Sequence, residues 1–353
     1  MLPAWMIVIV FIFGSIIGSF LNALIYRLPR NISLLNPSKS ICPKCKHSLG
    51  ALDLIPVVSW CIQGGKCRYC RARISPRYLL VELATGGAWA VLWYQYYYNQ
   101  EDAIRFFGFA LAVSVLIAIF LIDLELYLIP EQLNAALLFI GLGINFALIS
   151  VHDPLAFQFG LPSAIVGALG GFFALWLITF IGRVLFGKDA MGHGDIKMAR
   201  GIGAVLFLWA ALVSFGLAVL LGAVLGVLQV VFSLKSNPAE TSGADRGVEP
   251  QEHKPESLRS LMWCGLGYLL VIDVIGLFYQ PLYKWWFGED PFEPPEDLET
   301  FEAERTVIPF GPYLALSALL VILFQEQIFG LLELYAQWAG LTGDPGLGTP
   351  NGL

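Results

Sequence analysis

The stretch AIRFFGFALAVSVLIAIFLID, running from Ala103 to Asp123, decides how the rest of the chain is read. Apart from Arg105 near its start it is uncharged up to Ile122, and it is long enough to cross a bilayer core, which takes roughly 20 helical residues. A carboxylate then stands at its end. Such a group at the edge of hydrocarbon is costly and marks a functional site by default. Asp195 stands at a matching point, closing the tetrapeptide Gly192-His193-Gly194-Asp195 after another apolar run, Leu161 to Phe186. Two such aspartates suggest a carboxylate pair able to activate water against a peptide bond.

Composition agrees with that frame. Of 353 residues 57% are hydrophobic and 14% charged, whereas soluble domains are about a quarter charged. The expected fold class is an all-α polytopic membrane protein with about eight transmembrane helices and a small zinc-binding cytoplasmic insert after the first of them. The apolar runs lie near Ala4 to Tyr26, Leu79 to Tyr98, Ala103 to Ile122, Glu131 to Ser150, Leu161 to Phe186, Trp209 to Phe232, Leu261 to Phe278 and Phe310 to Phe324. The first has no basic residue ahead of it and a basic cluster behind it, so it reads as a retained anchor rather than a cleaved signal.

Orientation follows from charge placement rather than from the net charge of -6. Ten of the 21 Lys and Arg residues lie between Arg27 and Arg77, and the positive-inside rule holds that segment in the cytoplasm. Counting crossings from there returns Asp123 to the cytoplasmic side, and Asp195 to the same face. The expected organisation is a first transmembrane helix at 1–26, the cytoplasmic insert at 27–78 and a membrane core at 79–235. There follow a disordered linker at 236–260, an accessory transmembrane helix at 261–287, an acidic loop at 288–308, and a last helix with tail at 309–353. The linker assignment rests on its Ser, Pro, Glu and Gly content.

The insert carries Cys42-Pro43-Lys44-Cys45 and, after 21 intervening residues, Cys67-Arg68-Tyr69-Cys70. Two C-x-x-C knuckles at this separation match a four-thiolate zinc site. A disulfide is disfavoured in reducing cytosol, and a redox dithiol needs only one knuckle. Cys61 and Cys264 are expected to be small packing residues.

The bland reading of the acids is that Glu125 and Glu131 are interfacial and solvated, Glu131 favouring the positive end of its helix. Gly192 and Gly194 allow close backbone approach around Asp195. Two carboxylates within a few ångströms cannot both ionise easily, so one keeps a proton while the other acts as base, and the pair titrates as a unit. His193 is read as a polar filler. Lys197 either stabilises the charged carboxylate or meets lipid phosphates. Asp273, mid-helix, is expected to face the bundle in a structural hydrogen bond. Trp93 to Tyr98, and Trp285 with Trp286, fit an interfacial aromatic belt.

These residues in this order resemble the type IV prepilin peptidases, the bifunctional leader peptidases and N-methyltransferases of type IV pili and type II secretion. The resemblance is carried by GSFLNALIYRLP from Gly18 to Pro29, the two cysteine knuckles with Ile55-Pro56-Val57-Val58-Ser59-Trp60 between them, Arg77-Tyr78, and Val81-Glu82-Leu83. It continues through Ile122-Asp123, Gly192 to Lys197 and Ile308-Pro309-Phe310-Gly311-Pro312. It implies an aspartic endopeptidase of the G-x-G-D type with catalytic Asp123 and Asp195, sited at the cytoplasmic side of a bacterial inner membrane. Its implied partners are membrane lipid and the N-terminal helix of a prepilin or pseudopilin, with no nucleic acid. S-adenosylmethionine as methyl donor is implied by the resemblance alone. Glu125 and Glu131 stand where the family often has aspartate, Leu54 where it commonly has asparagine, and the stretch from Lys235 to Thr306 is longer than usual. On the residues alone two rivals stay open: a transporter whose carboxylates relay protons or bind a cation, though no convincing internal repeat is present, and a membrane scaffold whose zinc module binds a partner.

Overall fold

The structure, a computed structural model, describes residues 5–34, 40–42, 44–187, 191–236, 257–292 and 309–338. Its helices are α1 (Met6–Arg27), α2 (Val58–Ile62), α3 (Pro76–Leu92), α4 (Ala103–Leu126), α5 (Glu131–Ser150), α6 (Ser163–Phe186), α7 (His193–Ser236), α8 (Leu258–Leu269), α9 (Ile272–Phe278), α10 (Gln280–Phe287), α11 (Gly311–Leu323) and α12 (Gln325–Trp338). A hairpin of β1 (Phe157–Gln158) and β2 (Leu161–Pro162) joins α5 to α6. Its two-residue turn, Phe159-Gly160, has positive φ at both positions (52° and 78°), as the tight hairpin turns that suit strand twist require.

Five segments are long and apolar enough to cross a membrane: α1, α4, α5, α6 and His193–Gly226 of α7. Two bent pairs, α8 with α9 at 68° and α11 with α12 at 91°, bring the number to seven if each pair is one span. The α3 helix has 17 residues and runs on into a π-helical turn, Trp93–Tyr98. Within the expected aromatic belt Trp93 and Tyr96 are buried and Tyr94 is half exposed, Tyr96 packing edge-on against Phe109 and Trp93 against Tyr98.

Most of the linker expected over 236–260 and of the acidic loop expected over 288–308 lies outside the described residues. The sixth apolar run also differs from its expected start at Trp209. Helix α7 begins at His193 and is interrupted once, at Phe207 (φ 61°, ψ -178°). Its first stretch is not a loop between spans but core, with Ile196, Met198 and Ile202 fully buried.

Small residues let α7 lie that deep. A Cβ on Gly167 of α6 would come 2.0 Å from the carbonyl oxygen of Gly203, and one on Gly171 would come 2.2 Å from that of Ala199. The Gly-x-x-x-Gly spacing of 167 and 171 thus presents bare backbone to α7, the arrangement by which helices approach closely in lipid, where no hydrophobic force drives them together. Around this crossing Leu116, Ile119 and Ile122 of α4, Leu137 of α5 and Phe172 of α6 form the fully buried core.

Polar ties close both ends of the bundle. At one end Asp102 caps α4 by accepting from the Arg105 backbone N–H at 2.8 Å, and the Arg105 guanidinium also holds Asp153 at 2.9 Å. At the other, α4 stops where Tyr127 takes a left-handed conformation (φ 51°) and donates to the Asp123 carbonyl. Pro130 then starts α5.

We expect Gly203→Ala or Gly167→Ala to lower the thermal midpoint of the detergent-purified protein, at a cost of about 1–3 kcal/mol for forced overpacking. Gly216→Ala, which faces open space, should leave the midpoint unchanged.

Candidate active site

Asp123 sits in the last turn of α4 and Asp195 in the first turn of α7, and the structure brings both to one cavity of 320 Å³. Their nearest common neighbour is the backbone of Gly311, the first residue of α11. A Cβ built there would lie 1.9 Å from Oδ2 of Asp123 and 3.1 Å from Oδ1 of Asp195. The two carboxylate oxygens are therefore no farther apart than these lengths together, which is room for one water to touch both. Asp123 is 4% exposed, and its Oδ2 has no hydrogen-bond partner among the described residues. The Gly192 backbone N–H donates to the Asp195 carboxylate. Helices α7 and α11 both begin at the cavity, so unpaired backbone N–H groups and the positive ends of two helix dipoles face the pair.

Of the remaining acids Glu125 is exposed, as the bland reading held, and Glu131 is mostly covered, but both are ion-paired. Glu125 is ion-paired with Arg77, which enters from the start of α3. Glu131 is ion-paired with Lys197, which settles that lysine's partner as a carboxylate of α5, neither an aspartate of the pair nor lipid phosphate. Asp273 is buried and, as expected, structural: Arg200 of α7 donates to both of its oxygens, at 3.0 and 2.5 Å, and to the Tyr268 carbonyl.

Helices α8 to α10 are more than an accessory span. Tyr268, Tyr283 and Phe287 form part of the cavity wall. The Tyr268 hydroxyl and Nδ1 of His193 share a hydrogen bond of 3.0 Å, so His193 ties the Gly192–Asp195 turn to α8. These aromatic residues, like Gly311 as the close neighbour of both carboxylates, were missed by sequence reasoning. Seventy-five positions separate Tyr268 from His193, and no local pattern signals that contact. For Gly311 the signal was present, in Ile308 to Pro312, without a role attached to it.

In the insert, the sulfurs of Cys42, Cys45, Cys67 and Cys70 all lie within 4.8 Å of one another, a set that could hold a metal. The two knuckles are built alike. Lys46 N–H donates to Cys42 O and Arg71 N–H to Cys67 O, both at 2.9 Å, with Lys46 and Arg71 each at positive φ (56° and 58°). The Cys42 N–H donates to His47 O and the Cys67 N–H to Ala72 O, which folds each knuckle back so that both sulfurs point the same way. Backbone N–H groups of Cys45 and Lys44 lower the Cys42 thiol to about 6, holding it as thiolate at neutral pH. Of the remaining cysteines, Cys61 is exposed on the short α2 rather than packed, while Cys264 is half-buried, packs against the hydrophobic core as expected and also borders the carboxylate cavity.

Insert and carboxylate pair lie at the same end of the bundle. Besides Arg77 and Glu125, the Val57 N–H donates to Oε2 of the buried Glu82 at 2.7 Å, and Asn22 of α1 donates to the Tyr78 carbonyl at 3.0 Å.

Residues 12–96 match the family described as Bacterial Peptidase A24 N-terminal domain, and residues 110–227 match the Type IV leader peptidase family. The chain belongs to the type IV leader peptidase family. It is 31% identical to a prepilin leader peptidase/N-methyltransferase of Myxococcus xanthus, over 90% of this chain and 89% of that protein. Proteins of the same description from Aeromonas salmonicida and Klebsiella pneumoniae are 34% and 35% identical, over 62% and 57% of this chain and 79% and 85% of their own lengths. No solved structure matches the chain. Both family matches end before α8, whereas the Myxococcus xanthus relative aligns over 90% of this chain.

Gly311→Ala would place its methyl group on Asp123 and displace the carboxylate. In membranes supplied with a prepilin this substitution should abolish leader removal while the protein accumulates at the wild-type level, as read by immunoblot and by mass spectrometry of the product.

Proposed function

We propose that this chain is a membrane aspartic endopeptidase that removes the leader of type IV prepilins or type II secretion pseudopilins and methylates the new N-terminus. The observation that carries the reading is the convergence of Asp123 and Asp195 on one cavity beside Gly311, without a cationic partner for either among the described residues. Relatives over most of the chain bear the same two activities in their names, and the proton- or cation-relay transporter is not favoured.

Hydrolysis by this pair follows ordinary general acid–base chemistry. One carboxylate takes a proton from water as the oxygen attacks the scissile carbonyl carbon; the other gives its proton to the carbonyl oxygen. When the C–N bond breaks, the leaving amine takes the proton that the first carboxylate gained from water, while a hydroxyl of the tetrahedral diol returns its proton to the second carboxylate as the carbonyl re-forms, so that the pair again holds one proton between its two members. Burial excludes competing water and strengthens each of these interactions. A substrate whose N-terminal segment is itself an apolar helix could reach this cavity in the plane of the membrane.

In our reading the protein spans a bacterial inner membrane, the carboxylates face the cytoplasm with the insert, and α3 with its π-helical extension and each bent pair complete the eight segments.

The thiolate set suits zinc. Corners of a tetrahedron about 2.3 Å from a central ion are about 3.8 Å apart, and the Cys42 and Cys70 sulfurs are 3.9 Å apart. Bound there, the ion would organise a short polar segment that has little core of its own. S-adenosylmethionine would supply the methyl group. For it the insert offers Oδ1 of Asp53, a buried carboxylate oxygen without a hydrogen-bond partner among the described residues, which suits a ribose hydroxyl.

Two outcomes test this reading. Asp123→Asn and Asp195→Asn should each abolish leader removal with unchanged thermal stability, and a variant of either kind that still cleaves would refute the pair. Cys42→Ser with Cys45→Ser should reduce zinc in the purified protein to background by elemental analysis, with loss of N-methylation in the product spectrum.

A further inference from the structure

Lys197 lies two residues beyond Asp195 on the same helix and lines the same cavity as both aspartates, close enough for an ammonium with no other partner to be drawn to them. It is held elsewhere. Its Nζ is ion-paired with Glu131 and lies 3.5 Å from the Tyr283 hydroxyl. It also stands 4.7 Å from the ring centroid of Tyr268, 5.5 Å from that of Phe287 and 5.9 Å from that of Tyr283, all within the roughly 6 Å reach of cation–π attraction. Lys197 is buried, so these partners replace water.

The cage has two sources. Glu131 comes from the N-terminal turn of α5, and the three rings come from α8 and α10. A second buried pair fastens that segment: Arg200, about one turn after Lys197, holds Asp273 of α9 and the carbonyl of Tyr268. Both cations in this part of α7 are thereby committed to acceptors other than Asp123 and Asp195.

We propose that Glu131 and the aromatic face of α8 to α10 form a positioning device that holds Lys197 off the aspartate pair. An opposite charge beside a carboxylate favours its ionised form. An ammonium released onto Asp195 would therefore stabilise two ionised aspartates and remove the proton that the pair must donate to the carbonyl oxygen. Glu131 and the rings are positioning residues: they touch Lys197 and not the reacting atoms. The proposal rests on the peptidase reading given above.

The test is the steady-state kinetics of detergent-solubilised full-length protein on a full-length type IV prepilin. Glu131→Gln removes the charge that restrains Lys197 and keeps the side-chain volume; it should lower kcat about tenfold or more, with KM changed less than about threefold, as expected for one charge-assisted contact. Adding Lys197→Met removes the released cation as well. A neutral, size-matched pair is tolerated in place of a buried ion pair, and the double variant should return kcat to within about threefold of the wild type. A merely structural role for Glu131 would lower the melting temperature of Glu131→Gln in step with kcat; the positioning role requires kcat to fall at the wild-type melting temperature, and a loss of kcat that tracks a loss of stability overturns the proposal. Phe287→Leu, which loosens the cage without touching a charge, should lower kcat roughly threefold, and should have no effect in the Lys197→Met background. The proposal is overturned if Glu131→Gln cleaves like the wild type, or if the double variant is as slow as the single one while melting at the wild-type temperature. Failure of the wild type itself to cleave any prepilin would instead overturn the peptidase reading, and this proposal with it.

Discussion

Two acidic side chains meet inside this apolar bundle because the neighbouring helix start, at Gly311, carries no side chain to fill the space that they occupy. The end of α4, the start of α7 and the start of α11 arrive at one point. A single methyl group on Gly311 would occupy the position of the Asp123 carboxylate. The same demand for bare backbone recurs one layer away, where Gly167 and Gly171 let α6 lie against α7. Without that close crossing the first turns of α7 would stand farther from α4, and Asp195 with them. The chemistry of the site thus rests on steric absence as much as on the carboxylates themselves.

Charge in this region is sorted rather than balanced locally. Arg77 is paired with Glu125, Lys197 with Glu131 and Arg200 with Asp273, while Asp123 and Asp195 meet no cation among the described residues. The first pair is partly exposed and the other two are buried, and neither kind contributes much net stability, because screening or desolvation offsets most of the Coulomb gain. Their value lies in where they place charge. What faces the aspartates instead is backbone N–H at the starts of two helices, which favours negative charge without supplying a full counter-ion. A carboxylate pair so arranged retains the freedom to move a proton.

The cysteine insert belongs to the same assembly. It meets the bundle through Val57 and Glu82, Asn22 and Tyr78, and Arg77 and Glu125, and the last of these contacts lies two residues from Asp123. The four-cysteine segment and the carboxylate cavity therefore share one end of the bundle. That arrangement suits a protein that cuts a chain and then modifies the new end, because the freed amine has little distance to travel.

By itself the sequence determined the class, the helical frame, the thiolate set and the identity of the two aspartates. Those features are local: hydrophobic run length, charge bias around Arg27 to Arg77, and knuckle spacing are each written in contiguous residues. Helix parity even placed both aspartates at one membrane surface. Tertiary structure alone decided how near the two come, that Gly311 stands beside them, and that Lys197 turns toward Glu131 and the rings of Tyr268, Tyr283 and Phe287. It also decided that Trp93 and Tyr96 are buried, and that α7 begins at His193 rather than at Trp209. These outcomes depend on pairs of residues tens to hundreds of positions apart. Their contacts are set by which helix faces pack together, and hydropathy along one chain carries no term for that.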